Sequence, residues 1–266
     1  MGIIGGRVGY WILRRMAPRE HSISENHESN HNDTKLKQFF GDDFFDIIKG
    51  RTVLDFGCGA GRQAVEMALM GADRVIGLDI QERLLAEARE LAHRYSVSDR
   101  CTFVAKTEEF ADIVISKDAF EHFSDPGAIL RHMSALLKPG GFVLASFGPT
   151  WLHPLGGHLF SIFPWAHLIF TEQAFIRWRS DFKSDGATQF SEVEGGLNHL
   201  TIRLFEKFVD ESPLRFVYLK TVPIKGIRLL KSRVFREFGS SIVCCKLEPK
   251  RSTESFSGPN YGSSPR

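Results

Sequence analysis

Apolar positions between residues 35 and 148 follow two alternating periods. Short apolar runs at 52–56, 74–78, 101–105, 112–116 and 142–147 predict buried strands. Between them the apolar residues return every three or four positions, which predicts helices. Residues 35–48 place Phe39, Phe40, Phe44, Phe45, Ile47 and Ile48 in such a pattern, stopped by Gly50. Residues 62–70 form another, ended by Gly71. Residues 81–93 put Leu84, Leu85, Ala88, Leu91 and Ala92 on one face. Asp125-Pro126 opens a further helix with a capping carboxylate and a first-turn proline. Its face is Ile129, Leu130, Met133, Leu136 and Leu137, and Pro139-Gly140-Gly141 ends it. Apolar strands separated by helices of this length build a parallel sheet covered on both faces.

The rhythm breaks after 148. Residues 149–200 are too long for a turn and too apolar for a linker, so an inserted, mostly helical lid is expected there. A helix over 201–211 and strands over 215–222 and 240–247 follow. The α/β domain then occupies 35–248, with seven strands. Residues 1–34 are expected to form a flexible arm. Its apolar stretch, 8–13, carries Arg7, Arg14, Arg15 and Arg19 around it against Glu20. The alternative is a short basic amphipathic helix lying on a membrane surface or a partner. Residues 21–33 read as a polar linker. His27 and His31 there have a spacing that can share a metal on a helix, but no apolar face or fixed carboxylate accompanies them. The Ser, Gly, Pro and Arg of 249–266 predict a disordered tail.

Composition narrows the function classes. The chain has 266 residues, 42% hydrophobic and 25% charged, with a net charge of +2. That supports a sizeable core and argues against a polybasic nucleic-acid binder. Cys58, Cys101, Cys244 and Cys245 include no C-x-x-C pair, which excludes the usual zinc and disulfide frameworks. No apolar run approaches about 18 residues, the length of a membrane span. The 8–13 stretch precedes its arginines, the reverse of a signal peptide, so a reducing cytoplasm is the expected compartment. Phe dominates the aromatics, 23 against 4 Trp and 4 Tyr, and much of that excess falls between Phe147 and Phe190. It coincides with the lid.

The candidate chemistry lies at the first strand-to-helix turn, Val53-Leu54-Asp55-Phe56-Gly57-Cys58-Gly59-Ala60-Gly61. Alternate glycines permit positive φ and let a ligand approach bare backbone, and the following helix offers free N–H groups. A dinucleotide fingerprint would need a small residue at 62, and Arg62 stands there, so a dehydrogenase reading fails. Asp79 ends the second strand, where an acid can accept both hydroxyls of a ribose. Its alternative is a cap for the next helix. A diol binder without a diphosphate cradle points to a nucleoside cofactor that lacks a diphosphate.

These residues, with Gly77-Leu78-Asp79, the run from Asp112 to Phe123 (DIVISKDAFEHF) and 137–143 (LKPGGFV), resemble the class I S-adenosylmethionine-dependent methyltransferases, the broad family that includes the quinone-biosynthesis enzymes. The resemblance covers about 50–148, and 201–247 in topology. It implies a Rossmann-like seven-stranded, mostly parallel sheet and S-adenosylmethionine as cofactor. Gly57, Cys58, Gly59 and Gly61 would wrap the methionine moiety, with Asp55 near its ammonium. Asp79 would hold the ribose and Ile80 would pack on the adenine. The family's polar residue after the third strand has no clear counterpart, because the connection to the fourth strand is short; Thr107 and Glu108 are the candidates. Ser116, Lys117 and His122 would line the cofactor and substrate edge. The nucleic-acid amino-methylating signature is absent, since Ser116-Lys117-Asp118-Ala119 follows the fourth strand. So is the Asp-Asn pair of the metal-dependent branch, where Phe147-Gly148-Pro149 stands, and no metal is expected.

Methyl transfer needs positioning more than acid–base help. If a hydroxyl is the nucleophile, His122, His153 and His158 are candidate bases; for His122 the alternative is packing at a helix start. Phe160, Phe163, Phe170, Leu159 and Leu168 could line an apolar acceptor pocket or simply form a lid core, and Arg177 and Arg179 beside Trp178 could meet a membrane surface or an acidic substrate. The expected activity is methyl transfer to a small molecule, with an inactive cofactor-binding regulatory module as the alternative.

Overall fold

The computed structural model describes residues 2–16, 35–157, 164–181, 186–192, 197–224 and 235–250. Seven strands form one sheet: β1 Thr52–Phe56, β2 Arg74–Leu78, β3 Cys101–Val104, β4 Ala111–Lys117, β5 Leu137–Phe147, β6 Leu214–Pro223 and β7 Ser240–Pro249. Their order is β3-β2-β1-β4-β5-β7-β6. The first five pair in parallel, and β7 runs antiparallel to both β5 and β6.

Side-chain alternation sends the central strands into two cores. Val53, Ile113, Ile115 and Leu144 pack beneath α4 (Arg62–Leu69) and α5 (Glu82–Arg94), together with α2 (Lys35–Phe40) and α3 (Phe44–Ile48). Leu54, Ile76, Val114 and Val143 face the opposite core, with Leu130 and Met133 of α6 (Pro126–Ala135) and Phe205 and Val209 of α9 (Ile202–Asp210). The Asp125 cap is the one the sequence predicts, and Thr201 supplies a second. Asp125 accepts from Ala128 N at 2.8 Å before α6, and Thr201 accepts from Leu204 N at 3.1 Å before α9.

Three differences from the sequence reading go beyond a residue or two at an element's end. The helix expected over 35–48 is two helices, because Gly41 at φ 115° turns the chain between them. Leu137, expected on the α6 face, already belongs to β5. Ala111 pairs with it before the register shifts to Ile113 and Phe142, so the Pro-Gly-Gly lies inside a long irregular strand.

The third difference concerns the expected arm. Residues Gly6–Met16 form a helix, α1, docked on the lid. Ile3 N and Ile4 N donate to Ile169 O, and Thr171 N donates to Ile4 O. The Tyr10 hydroxyl donates to Asp181, and the Arg177 guanidinium lies 4.6 Å from the Tyr10 ring centre. Gly9 lets α1 approach α8 (Glu172–Arg179), for a Cβ there would meet Ala174 Cβ at 3.1 Å. Leu13 enters a separate core with Phe170, Phe175, Ile176, Trp178 and Phe190. The apolar residues of α1 are too few to order it alone. They are ordered by a partner surface more than 150 positions later. In the described part of 149–200 the lid holds α7 (Ala166–Ile169), α8 and a 3-10 turn at Phe190–Glu192. A last short helix, α10 (Arg236–Gly239), precedes β7. No described helix is long and apolar enough to cross a membrane.

Candidate functional site

β1 delivers the chain to Gly57, and α4 leaves from Gly61. All three glycines of this turn have left-handed backbones, with φ of 82°, 51° and 74°. Gly57 N and Cys58 N donate to Leu78 O, which straps the turn to the end of β2. At Gly61 a Cβ would lie 2.6 Å from Ala88 Cβ and 2.9 Å from the Phe103 ring, so glycine is required twice over. At Gly59 a Cβ would meet nothing within 4 Å; the middle of the turn opens onto free space.

Asp79 is tied to that turn. Its Oδ2 accepts from Gly59 N and its Oδ1 from Gln81 N, both at 2.9 Å. It therefore satisfies the N–H of Gln81 just before α5 and at the same time stands beside the open glycine. Each carboxylate oxygen keeps a further acceptor position for a diol. Next to it Ile80 is 91% exposed, an apolar side chain left in solvent at the rim.

Asp55 is buried, and its Oδ2 has no partner among the described residues. Burial lifts its carboxyl to about 7, with Asp79 adding to the rise and the Lys117 ammonium opposing it. A buried carboxyl with an unused oxygen suits a cationic or donor group brought by a ligand. Cys58 is buried too, and burial pushes its thiol well up, so it packs rather than reacts. Ser116, near the end of β4, is buried, and its Oγ has no partner among the described residues. Thr107 and Glu108 lie in the short connection between β3 and β4. They line an open depression with Ala105, Lys106, Glu109 and His132, and Thr107 Oγ1 accepts from Glu109 N.

The three candidate bases separate. His122 is exposed at the end of a 3-10 turn, Phe120–His122, that follows β4. His153 is buried at the start of the lid. Its Nδ1 accepts from Leu155 N at 3.0 Å, and its Nε2 lies 3.4 Å from Ser241 Oγ. Burial lowers its pKa, so a neutral ring serves those contacts. His158 lies outside the described residues, as do His27, His31, Leu159, Phe160, Phe163 and 251–266. Of the remaining lid aromatics, Phe170 belongs to the lid core, and Arg177 covers Tyr10.

The sequence patterns did not single out Glu121, Asn198 or Ser146. Glu121 is buried beside His122; burial pushes its carboxyl to about 8, Oε1 accepts from Gly148 N at 3.2 Å, and Oε2 has no partner among the described residues. Its backbone oxygen accepts from Asn198 N, and Asn198 Nδ2 donates to Phe120 O and Phe123 O at 2.7 Å each. Trp151 N donates to Leu200 O. Both ends of the lid are thus fastened to the turn after β4, and a small cavity lies there between Glu121, Pro149, Trp151 and His199. The available signal was a polar residue inside an otherwise apolar strand, which Ser146 in β5 is.

Residues 54–145 match a family model described as a methyltransferase domain. A ubiquinone biosynthesis O-methyltransferase of Neisseria meningitidis serogroup C is 39% identical over 106 residues, covering 37% of this chain and 44% of the relative. A protein of the same name from N. meningitidis serogroup A is 34% identical over 139 residues, covering 50% and 58%. The chain thus spans about half the length of the curated relatives it matches. Among solved structures, a protein from Listeria monocytogenes described as an S-adenosylmethionine-dependent methyltransferase covers 82% of this chain and 97% of its own, at a TM-score of 0.52 and 17% identity. At that identity the likeness speaks for the fold, and the sheet order is the class I order.

Proposed function

From the methyltransferase-domain match over residues 54–145 and the class I strand order, we propose that the chain is an S-adenosylmethionine-dependent methyltransferase that moves the methyl group of S-adenosylmethionine to an oxygen of a small-molecule acceptor. The observation that carries the reading is the bond from Gly59 N to Asp79. It sets an acid with spare acceptor capacity against a glycine turn whose middle is open. The unpartnered oxygen of Asp55 on the same turn, and the bare side chain of Ile80 at its rim, fit the two ends of such a cofactor. The choice of oxygen rests on the relatives, which are named O-methyltransferases.

In this reading Asp79 holds the ribose hydroxyls, Ile80 covers the adenine, and Thr107 and Glu108 form its far edge. Gly57, Cys58, Gly59 and Gly61 supply backbone around the methionine portion, whose ammonium meets Asp55, and Ser116 lies at its edge. S-adenosylmethionine supplies a methyl already activated on a sulfonium. The remaining work of this chain is orientation and exclusion of water, and orientation alone can lower a barrier by roughly 7–11 kcal/mol. His122, exposed at the turn that anchors the lid, is the candidate to receive a hydroxyl proton; His153 is committed to the lid base.

The test is transfer of label. Incubating the protein with methyl-labelled S-adenosylmethionine and a small-molecule cell extract should place label in a discrete low-mass product whose new methyl is an ether. Binding of S-adenosylhomocysteine with no labelled product would contradict the enzymatic reading and leave a cofactor-binding module.

A further inference from the structure

At the end of the sheet, Lys117 of β4 and Ser146 of β5 are register partners in parallel strands. Neighbouring strands lie about 4.8 Å apart, and paired residues project to the same face. That face is fixed by alternation: Ile115 and Leu144, two positions back, both enter the core under α2 to α5, as does Val53 two positions before Asp55. Asp55, Lys117 and Ser146 therefore share one face of three adjacent strands, with Lys117 and Ser146 side by side just above that core and Asp55 two positions further back, opposite Ile115. Cys244, the β7 partner of Ser146, extends that face. The glycine turn starts two residues after Asp55.

Two features of this face are unexplained by packing. The Lys117 side chain is only 7% exposed, and lysine is almost never so buried unless it is paired. Its partners are the Phe39 ring, 5.5 Å away, and the carboxylate of the next residue, Asp118, and its charge also reaches the buried carboxyl of Asp55. Asp118 is 45% exposed and sits at φ 52°, so a buried ammonium faces a largely solvated counter-ion. Beside it Ser146 is fully buried, and its hydroxyl has no partner among the described residues. An ammonium has three protons and Asp118 takes one, so Lys117 and the neighbouring hydroxyl of Ser146, which has no partner among the described residues, can both donate to one further acceptor. Cys244 supplies no competing charge, because burial and Asp118 hold its thiol up to about 11.

We propose that Lys117 and Ser146 form the acceptor end of the site and hold an oxyanion of the methyl acceptor, either its ionised hydroxyl or a carboxylate. This rests on the methyltransferase reading and adds the substrate class: the acceptor is a small organic acid or an acidic phenol or enol. Lys117 keeps its proton throughout. The acceptor hydroxyl gives its proton to His122, the base named above, and the oxygen–methyl bond forms as the sulfonium–methyl bond breaks. The electron pair of the broken bond remains on sulfur as a neutral thioether. A fixed ammonium in a water-excluded position favours the ionised acceptor, so a histidine ring is base enough.

Calorimetry on the full chain saturated with S-adenosylhomocysteine tests this with four probes. They are 3,4-dihydroxybenzoate, catechol, 3,4-dimethoxybenzoate and 1,2-dimethoxybenzene. The first should bind. Catechol should bind if the held oxyanion is the hydroxyl, and dimethoxybenzoate if it is the carboxylate. Dimethoxybenzene should not bind, and binding as tight as that of the acid would overturn the proposal. Lys117→Met should weaken the acid at least tenfold and Ser146→Ala about threefold, each with S-adenosylhomocysteine affinity held within threefold. An equal loss of S-adenosylhomocysteine affinity in Lys117→Met would place the lysine at the cofactor instead and overturn it. Should that variant not fold, the probe series and Ser146→Ala decide. No binding of any probe to a protein that binds S-adenosylhomocysteine sinks the acidic acceptor alone; no binding of S-adenosylhomocysteine sinks the methyltransferase reading beneath it.

Discussion

Around Gly61 a methyl group has nowhere to go, with Ala88 and Phe103 closing on the space a Cβ would take. In the lid the constraint is of another kind. Leu13, Phe175, Trp178 and Phe190 fill a core of their own, drawn from both ends of a long stretch of chain. That core is not continuous with either core of the sheet. Among the described residues the link to the sheet runs through Glu121 and Asn198, the His153–Ser241 contact, and Leu200, which enters the second sheet core. One region is ordered by what the local backbone demands, the other by contacts between residues far apart in sequence. The two should therefore fail independently.

Gly61→Val is the most damaging change to the first region. It combines overpacking, typically about 1–3 kcal/mol, with a positive φ that costs an L-residue about 1–2 kcal/mol. The expected result is a melting temperature lower by roughly 2–4 °C per kcal/mol, together with lost S-adenosylhomocysteine binding. Retained binding at unchanged stability would mean the turn tolerates a side chain, against the geometry.

Leu13→Ala attacks the second region. A buried leucine truncated to alanine costs about 2–5 kcal/mol where the whole fold feels it. Here the loss should appear as faster amide exchange in α7 and α8, while β1 and β2 keep their protection. Uniform loss across the sheet would refute the separation.

Glu121→Gln probes the link. The Glu121 carboxyl is raised from 4.5 to about 8 in the folded protein. The folded state therefore holds a proton that the unfolded state has given up between those values. Stability should fall as pH rises from about 5 to 8, and Asp55, raised to about 7, acts in the same direction. Glutamine removes the Glu121 share. Denaturant melts of the variant should show a flatter decline over that window, and an unchanged slope would show that Glu121 is not buried as described.

The readable parts of the chain were those whose physical demand is local. Thr52–Phe56 and Arg74–Leu78 were bounded correctly because a buried parallel strand is a short apolar run and nothing else. The glycine turn and Asp79 fall within 27 residues, each with a stereochemical reason for its identity. The 35–48 segment misled because its apolar spacing continues across Gly41, and periodicity alone does not register a left-handed turn. For α1 a short amphipathic helix stood as the alternative to a flexible arm, but its docking surface on the lid was not legible, because Ala166 to Trp178 lie far along the chain. Glu121 and Asn198 were invisible for the same reason, 77 positions apart and meaningful only together. Ser146 shows the one usable signal in the acceptor region, a hydroxyl in an apolar strand, which the sequence presents without saying what it faces.

The central claim is that Asp79, fixed against Gly59, holds the ribose of a nucleoside cofactor. Titrating S-adenosylhomocysteine into the wild-type chain and into Asp79→Ala by calorimetry tests it most directly. The account predicts saturable one-to-one binding and a loss of at least about 1 kcal/mol in the variant, the scale of hydrogen bonds to a charged group, or about fivefold in Kd. No binding by the wild type at millimolar ligand, or equal affinity in the two proteins, would contradict it.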